Sequence, residues 1–196
     1  MKIIFATGNK DKIKEIRAIF GDRVEEVLTM KEAGIDIDIE ENGTTFLENA
    51  LIKARSVAAH CDAIVMADDS GLVIDALNGE PGVYSARYLG RDTSYHEKNQ
   101  NLIERLAGKE GKERSARFVC AIAAVMPDGR EFTSEKTMEG QIGFEEKGEN
   151  GFGYDPIFFL PEYGKYSAEL APEEKNRISH RGKALRDMEE QLKDVL

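Results

Sequence analysis

The sequence predicts an α/β protein: a mixed, twisted sheet flanked by helices, arranged as two lobes with a central cleft. Three observations carry that expectation. Short apolar runs too brief for helices, among them Ile3-Ile4-Phe5-Ala6, Ala63 to Ala67 and Pro156 to Leu160, recur between amphipathic segments. Two longer runs, Phe118 to Met126 and Arg130 to Met138, flank the turn tripeptide Pro127-Asp128-Gly129 and so read as a central hairpin. The 196 residues can bury one substantial core, and no Pro/Ser-rich linker divides them, so 1–196 is expected to be a single domain. Its hairpin region, about 115–160, contributes the second lobe.

Taken in order, the first strand ends in Thr7-Gly8-Asn9, and Ile13, Ile16 and Phe20 then fall at the spacing of a core-facing helix. Thr45-Phe46-Leu47-Glu48 has the form of a capping box. Leu47, Ala50, Leu51, Ala54, Val57 and Ala58 follow on one face, which predicts a helix of about fifteen residues. Lys53 lies off that stripe, facing solvent or a cleft. Ala63 to Ala67 is a strand expected to stop at Asp68-Asp69-Ser70-Gly71, with Leu72 to Leu77 as a continuation before Gly79-Glu80-Pro81-Gly82. Leu102, Ile103 and Leu106 give the segment from His96 to Leu106 a helical stripe. The central hairpin follows, with Ile142 to Phe144 extending its sheet. Gly148 to Asp155 is a glycine-rich loop leading into a short strand. Ser179 is expected to cap a last helix with Leu185, Met188, Leu192 and Val195 inward.

Composition excludes several classes. A formal net charge of -10 argues against nonspecific capture of nucleic acid or a membrane surface, because both are drawn by summed positive field. Any anionic ligand must therefore be held locally. Cys61 and Cys120 are too few for a disulfide framework or zinc site, which fits a reducing compartment. The first apolar run is too short for a signal peptide or a membrane span, so the cytoplasm is the expected location.

Four segments carry candidate chemistry. A helix starting after Thr7-Gly8-Asn9 aims unsatisfied N–H groups and positive dipole at the turn, and Lys10 and Lys12 add charge; a bound phosphate or solvated lysines both fit. Asp68 and Asp69, adjacent beside a buried strand, repel each other and lose hydration unless a cation meets them. Oxygen ligands without clustered His or Cys point to magnesium, with manganese as a substitute; capping of the next turn is the plainer alternative. Glu40 and Glu41 precede Asn42-Gly43 and offer a further carboxylate or mere solvated charge. In Gly148 to Pro156 the glycines let backbone approach a ligand, while Phe152 or Tyr154 offers a flat face for a base. Lys175, Arg177, His180 and Arg181 place cations where the last helix is expected to begin, an unfavourable position unless an anion or a carbonyl-rich base lies there.

Together these residues resemble the inosine/xanthosine triphosphate pyrophosphatases. The resemblance covers nearly the whole chain, in family order. It rests on Thr7 to Lys12, Thr45-Phe46-Leu47-Glu48-Asn49-Ala50 with Lys53, Ala67 to Leu72, Pro81 to Arg87, Gly151 to Pro156 and Ser179-His180-Arg181. It implies a two-lobed mixed-sheet fold with the active site in the cleft, a homodimer, magnesium dependence, and hydrolysis of ITP, dITP and XTP to the monophosphate plus pyrophosphate. Thr7, Gly8, Asn9, Lys10, Asp11 and Lys12 would hold the triphosphate with Lys53, and Ser70 would touch substrate. Asp69 would be metal ligand and proton acceptor, with Asp68 beside it. Glu40, three residues before Gly43, would be the second metal carboxylate, with Glu41 adjacent. Phe152, Gly153, Tyr154 and Asp155 would line the base pocket, and Lys175, His180 and Arg181 would close on the base. The rival readings are a nucleotide phosphatase releasing orthophosphate and a non-catalytic purine nucleotide-binding module.

Overall fold

The structure, a computed structural model, describes every residue except Met1, Asn9, Arg23 and Leu196, and leaves aside the side chains of Lys10 and Asp11. Its strands are β1 (Lys2–Phe5), β2 (Glu26–Thr29), β3 (Ile64–Ile74), β4 (Ser115–Val125), β5 (Glu131–Ile142), β6 (Phe158–Leu160) and β7 (Lys165–Tyr166). Its helices are α1 (Lys10–Phe20), α2 (Phe46–Ala58), α3 (Tyr95–Arg105), α4 (Pro172–Ile178) and α5 (His180–Leu192). One sheet holds all seven strands in the order β2-β1-β3-β4-β5-β6-β7. β1 runs parallel to both β2 and β3, whereas β6 is antiparallel to both β5 and β7, so the sheet is mixed as expected. Among the described residues no helix is long and apolar enough to cross a membrane.

The chain divides into two compact units. The first comprises Met1–Asp69, Cys120–Lys136 and Arg181–Leu196. Its core joins Ile3 and Phe5 of β1, Ile13, Ile16 and Phe20 of α1, Ile64 and Met66 of β3, Ile122 of β4, and Leu185, Met188 and Leu192 of α5. The stripes on α1 and α5 are the predicted ones, with Val195 packed partly buried against them. Cys120 is a buried member of this core, and burial pushes its thiol pKa up to about 12, in keeping with an inert structural thiol. The Thr45 hydroxyl accepts from the Glu48 N–H and the Glu48 carboxylate returns to the Thr45 N–H, so α2 starts at the predicted capping box.

The second unit comprises Ser70–Val119 and Thr137–His180, around a core of Leu72, Ile74, Leu102, Phe118, Ile142 and Phe158. Here α3 is fixed by a capping box that the sequence reading passed over, Ser94 with Glu97. Buried Arg114 ties down the end of β5. Its guanidinium donates to the carbonyls of Ile142 at 2.6 Å, Gly143 at 2.7 Å and Leu106 at 2.9 Å, with the Phe144 ring 4.2 Å away. This anchors the start of the 143–153 loop.

One expectation is corrected and one helix is added. β3 does not stop at Asp68 but runs without a break to Ile74, after which residues Asp75–Leu77 form a tight helical turn. The aspartates are thus inside a strand, tolerated because cations from elsewhere in the chain meet them. The last helix starts directly after Ser179, as expected, and Lys175 lies in an additional helix before it. Residues 172–178 form the separate helix α4, begun by Pro172, and Ser179 breaks it with extended backbone (ψ 153) before α5 starts at His180. Proline at a first helical position supplies a ready φ and lacks an N–H that would go unsatisfied there.

Candidate active site

In the first unit, two linked charge clusters surround the aspartates. Lys12, on the first turns of α1, reaches Asp68 with its ammonium 3.0 Å from Oδ1 and 2.8 Å from Oδ2. Arg181, at the start of α5, sets its Nε 3.5 Å from Asp68 Oδ2 and donates from Nη1 to Glu15 at 3.0 Å. Asp68 is only 2% exposed. Burial alone would raise its pKa, but Lys12, Arg181 and Lys53 together outweigh it and hold the carboxyl well below the usual carboxylate range. Asp68 is therefore a fixed charge that orients two cations.

Asp69 points into a different setting. Lys53 lies 3.5 Å from its Oδ1 and 2.9 Å from a Glu41 oxygen, so one ammonium bridges two carboxylates. Asn49 donates from Nδ2 to Asp69 Oδ2 at 3.2 Å, and its own Oδ1 accepts the Gly43 N–H at 2.8 Å, which locks the loop before α2. Burial raises the Asp69 pKa. Lys53 and the Asn49 hydrogen bond oppose this, and the like charges of Glu41 and Asp68 reinforce it. The two neighbouring aspartates are thus driven apart, Asp68 toward permanent ionisation and Asp69 toward greater basicity, a pattern that marks acid–base sites. The Lys53 ammonium stays charged despite burial because Asp69, Asp68 and Glu41 face it.

These carboxylates suit a hard divalent cation. Asp69 and Glu41 share one ammonium that a metal could displace, and their oxygen donors match magnesium chemistry. No group of three or more His, Cys, Asp or Glu positioned to hold a metal is found among the described residues, so ligand oxygens would complete the shell. Glu40, expected as the second carboxylate, is exposed, whereas Glu41 is the one that reaches Lys53.

The second unit holds a separate set. Asp155, 3% exposed, accepts from the Phe152 N–H at 2.9 Å and from Lys175 at 2.6 Å on Oδ2, and from the Ser167 hydroxyl at 2.8 Å on Oδ1. Both oxygens are engaged, so Asp155 shapes the loop and holds Lys175. The Lys175 ammonium also lies 5.0 Å from the centre of the Phe152 ring. Of the two aromatics left open as a platform, Phe152 is 38% exposed. Tyr154 is buried, its hydroxyl donating to the Ser85 carbonyl at 2.6 Å and its ring edge-on to Tyr95. Phe152 is the available face. His180 is stacked on Phe118, with ring centres 4.9 Å apart and 14° between planes.

Gly151 makes this compaction possible. Its φ is +76°, and a Cβ there would stand 2.3 Å from Asp155 Oδ2 and 3.1 Å from Lys175 Nζ. Gly151→Ala is expected to lower stability by about 2 kcal/mol, since both backbone strain and a packed ion pair oppose the methyl. A urea titration checks this; an unchanged midpoint would show that the loop shifts freely.

The structure thus unites Lys12, Asp68 and Arg181, and Lys53 and Asp69, in the first unit, and Phe152, Asp155 and Lys175 in the second. Thr7 and Gly8 follow β1 as expected, and Ser70 lies on β3 in the second unit. Lys10 and Asp11 open α1. Asn9, and the side chains of Lys10 and Asp11, lie outside the described residues. The sequence reading missed Glu15, Glu41's pairing with Lys53, Asn49 as a ligand of Asp69, and Ser167. Only Asn49 left a signal: it is a polar residue in the buried row Phe46, Asn49, Ala50 of α2.

The family model described as the Ham1 family matches residues 3–191. A dITP/XTP pyrophosphatase of Exiguobacterium sibiricum is 47% identical over 196 residues, covering 100% of this chain and 99% of that protein. A protein of the same description from Thermus thermophilus is 48% identical, covering 99% and 93%. Among solved structures, the Staphylococcus aureus Ham1 protein superposes with a TM-score of 0.90 at 40% identity, covering 100% of both chains. A HAM1 protein from Coxiella burnetii gives 0.91 at 41%, covering 99% of both.

Proposed function

Because this chain belongs to the Ham1 family, we propose that it is a nucleoside triphosphate pyrophosphatase that hydrolyses dITP, ITP and XTP to the monophosphate plus pyrophosphate and clears them from the cytoplasmic nucleotide pool. The observation that carries this reading is the Lys53 ammonium shared by Asp69 and Glu41, with Asp68 pinned by Lys12 and Arg181 beside it. It offers a basic carboxylate, a second carboxylate and several cations, which is what attack by water on a polyanion needs.

In this reading Asp69 accepts the proton of the water that attacks the α-phosphorus. Asn49 restrains its Oδ2, so that Oδ1 is the oxygen that changes partners. Lys53 exchanges its carboxylate partners for phosphate oxygens, and Lys12, kept in place by Asp68, adds a further cation; together they take up the charge that develops on departing pyrophosphate. Asp69 and Glu41 would hold magnesium, with manganese as a substitute, and the ion would supply positive charge against the triphosphate. The turn Thr7-Gly8 and the N-terminus of α1 receive the remaining phosphate oxygens.

The purine stacks on Phe152, and Lys175 and His180 present donors to its 6-oxo group. Adenine sets an amino donor against those donors and leaves both unpaired, so ATP and dATP are rejected. Arg181 acts chiefly through Asp68 and Glu15, which it already binds. The working protein is a homodimer, a point for mass measurement in solution.

A substrate panel tests the proposal. With magnesium, kcat/KM for dITP and XTP should exceed that for dATP by about a hundredfold or more, and chelation should abolish turnover. Equal turnover of all three, or none, would overturn it.

A further inference from the structure

Within the second unit, α3 sends three side chains to one carboxylate. Asn99 Nδ2 donates to Glu146 Oε1 at 2.9 Å, Gln100 Nε2 donates to Glu146 Oε2 at 3.1 Å, and His96 Nδ1 lies 2.6 Å from the same oxygen. Glu146 belongs to the loop that leads to Phe152. The same Asn99 nitrogen lies 3.3 Å from the carbonyl of Gly153, the residue between Phe152 and Tyr154. One amide therefore ties the loop at two points.

The choice of asparagine here needs a reason. Asn99 is 1% exposed, and its Oδ1 is buried without a hydrogen-bond partner among the described residues. A buried acceptor left unsatisfied is a net cost to folding, and leucine of similar shape would avoid it. What only the amide provides is the double tie through Nδ2. Tyr95, one helical turn before Asn99, reinforces it: its ring meets Tyr154 edge-on at 5.2 Å, and a Cβ on Gly153 would stand 3.5 Å from it. Gly153 itself has φ +66°. α3 thus grips both the carbonyl and the ring that follow Phe152.

We propose that Asn99 is a positioning residue for the base platform: through Gly153 and Glu146 it sets the tilt at which the Phe152 ring meets the purine. This rests on the reading of Phe152 as that platform. Asn99 is buried and bonded to the loop, so its effect passes through the loop.

The test compares Asn99→Leu and Asn99→Asp with Phe152→Ala. Asn99→Leu removes the orphan acceptor together with the ties, so it should fold even if Asn99→Asp, which sets a carboxylate against Glu146, does not. Asn99→Leu is expected to raise KM for dITP about tenfold, leave kcat within about threefold and narrow the preference over dATP, because only base placement is lost. A melting midpoint near that of wild type should accompany this. If Phe152→Ala raises KM and Asn99→Leu does not, the positioning role falls while the platform stands. If kcat and melting midpoint fall together in Asn99→Leu with KM unchanged, Asn99 is a structural residue and the inference is overturned. If Phe152→Ala itself leaves KM unchanged, the platform reading fails, and the inference with it.

Discussion

Asp69→Asn is expected to lower kcat for dITP about a thousandfold, the middle of the range for loss of a positioned general base. The fold should not suffer. Burial raises the pKa of Asp69, so at neutral pH its charge is worth less in the folded chain than in the unfolded one and opposes stability. A neutral amide of the same shape relieves that cost, can still bond to Asn49 and leaves Lys53 with Glu41. The melting midpoint should therefore hold or rise while activity collapses, the usual relation between a strained catalytic group and stability. Steady-state kinetics beside a thermal melt check both halves. Turnover within tenfold of wild type would remove Asp69 from the proton-transfer step.

The second large effect concerns Lys175. Lys175→Met is expected to cost about 3–5 kcal/mol of stability, because it strands the buried Asp155 carboxylate with two neutral donors, the Phe152 N–H and the Ser167 hydroxyl. Pairing it with Asp155→Asn removes the stranded charge and should recover most of that loss. Activity should not recover with it, since a methionine offers the base no donor. Denaturant titration of the single and double variants, with kcat/KM for XTP, separates the two roles. Recovery of both stability and activity in the double variant would make the Asp155–Lys175 pair a purely structural feature.

Much of this architecture is readable from local chemistry. The capping box at Thr45 and Glu48 and the apolar stripe behind it define α2 because both signals lie within a few turns of each other. The Pro127-Asp128-Gly129 tip is likewise self-contained: the Gly129 N–H reaches the Met126 carbonyl and the Met126 N–H reaches that of Arg130. What resists local reading is decided by distant partners. Asp68-Asp69-Ser70-Gly71 has turn composition, yet it continues β3 because Lys12, 56 residues away in sequence, and Arg181 neutralise Asp68. Glu40 and Glu41 are indistinguishable by type; only which of the two reaches Lys53 separates them. Helix α4 also escapes local reading: it is only 7 residues long, too short for an apolar stripe, whereas Ser179 stands just before α5 as its type suggests. The individual residues of the site were legible as chemistry, but their pairing was not.

The most direct measurement of the central claim is hydrolysis of dITP in water enriched in oxygen-18, with magnesium present. Attack on the α-phosphorus predicts that the heavy oxygen appears in the nucleoside monophosphate and that unlabelled pyrophosphate is released. Heavy oxygen in orthophosphate, with a nucleoside diphosphate as the other product, would contradict it.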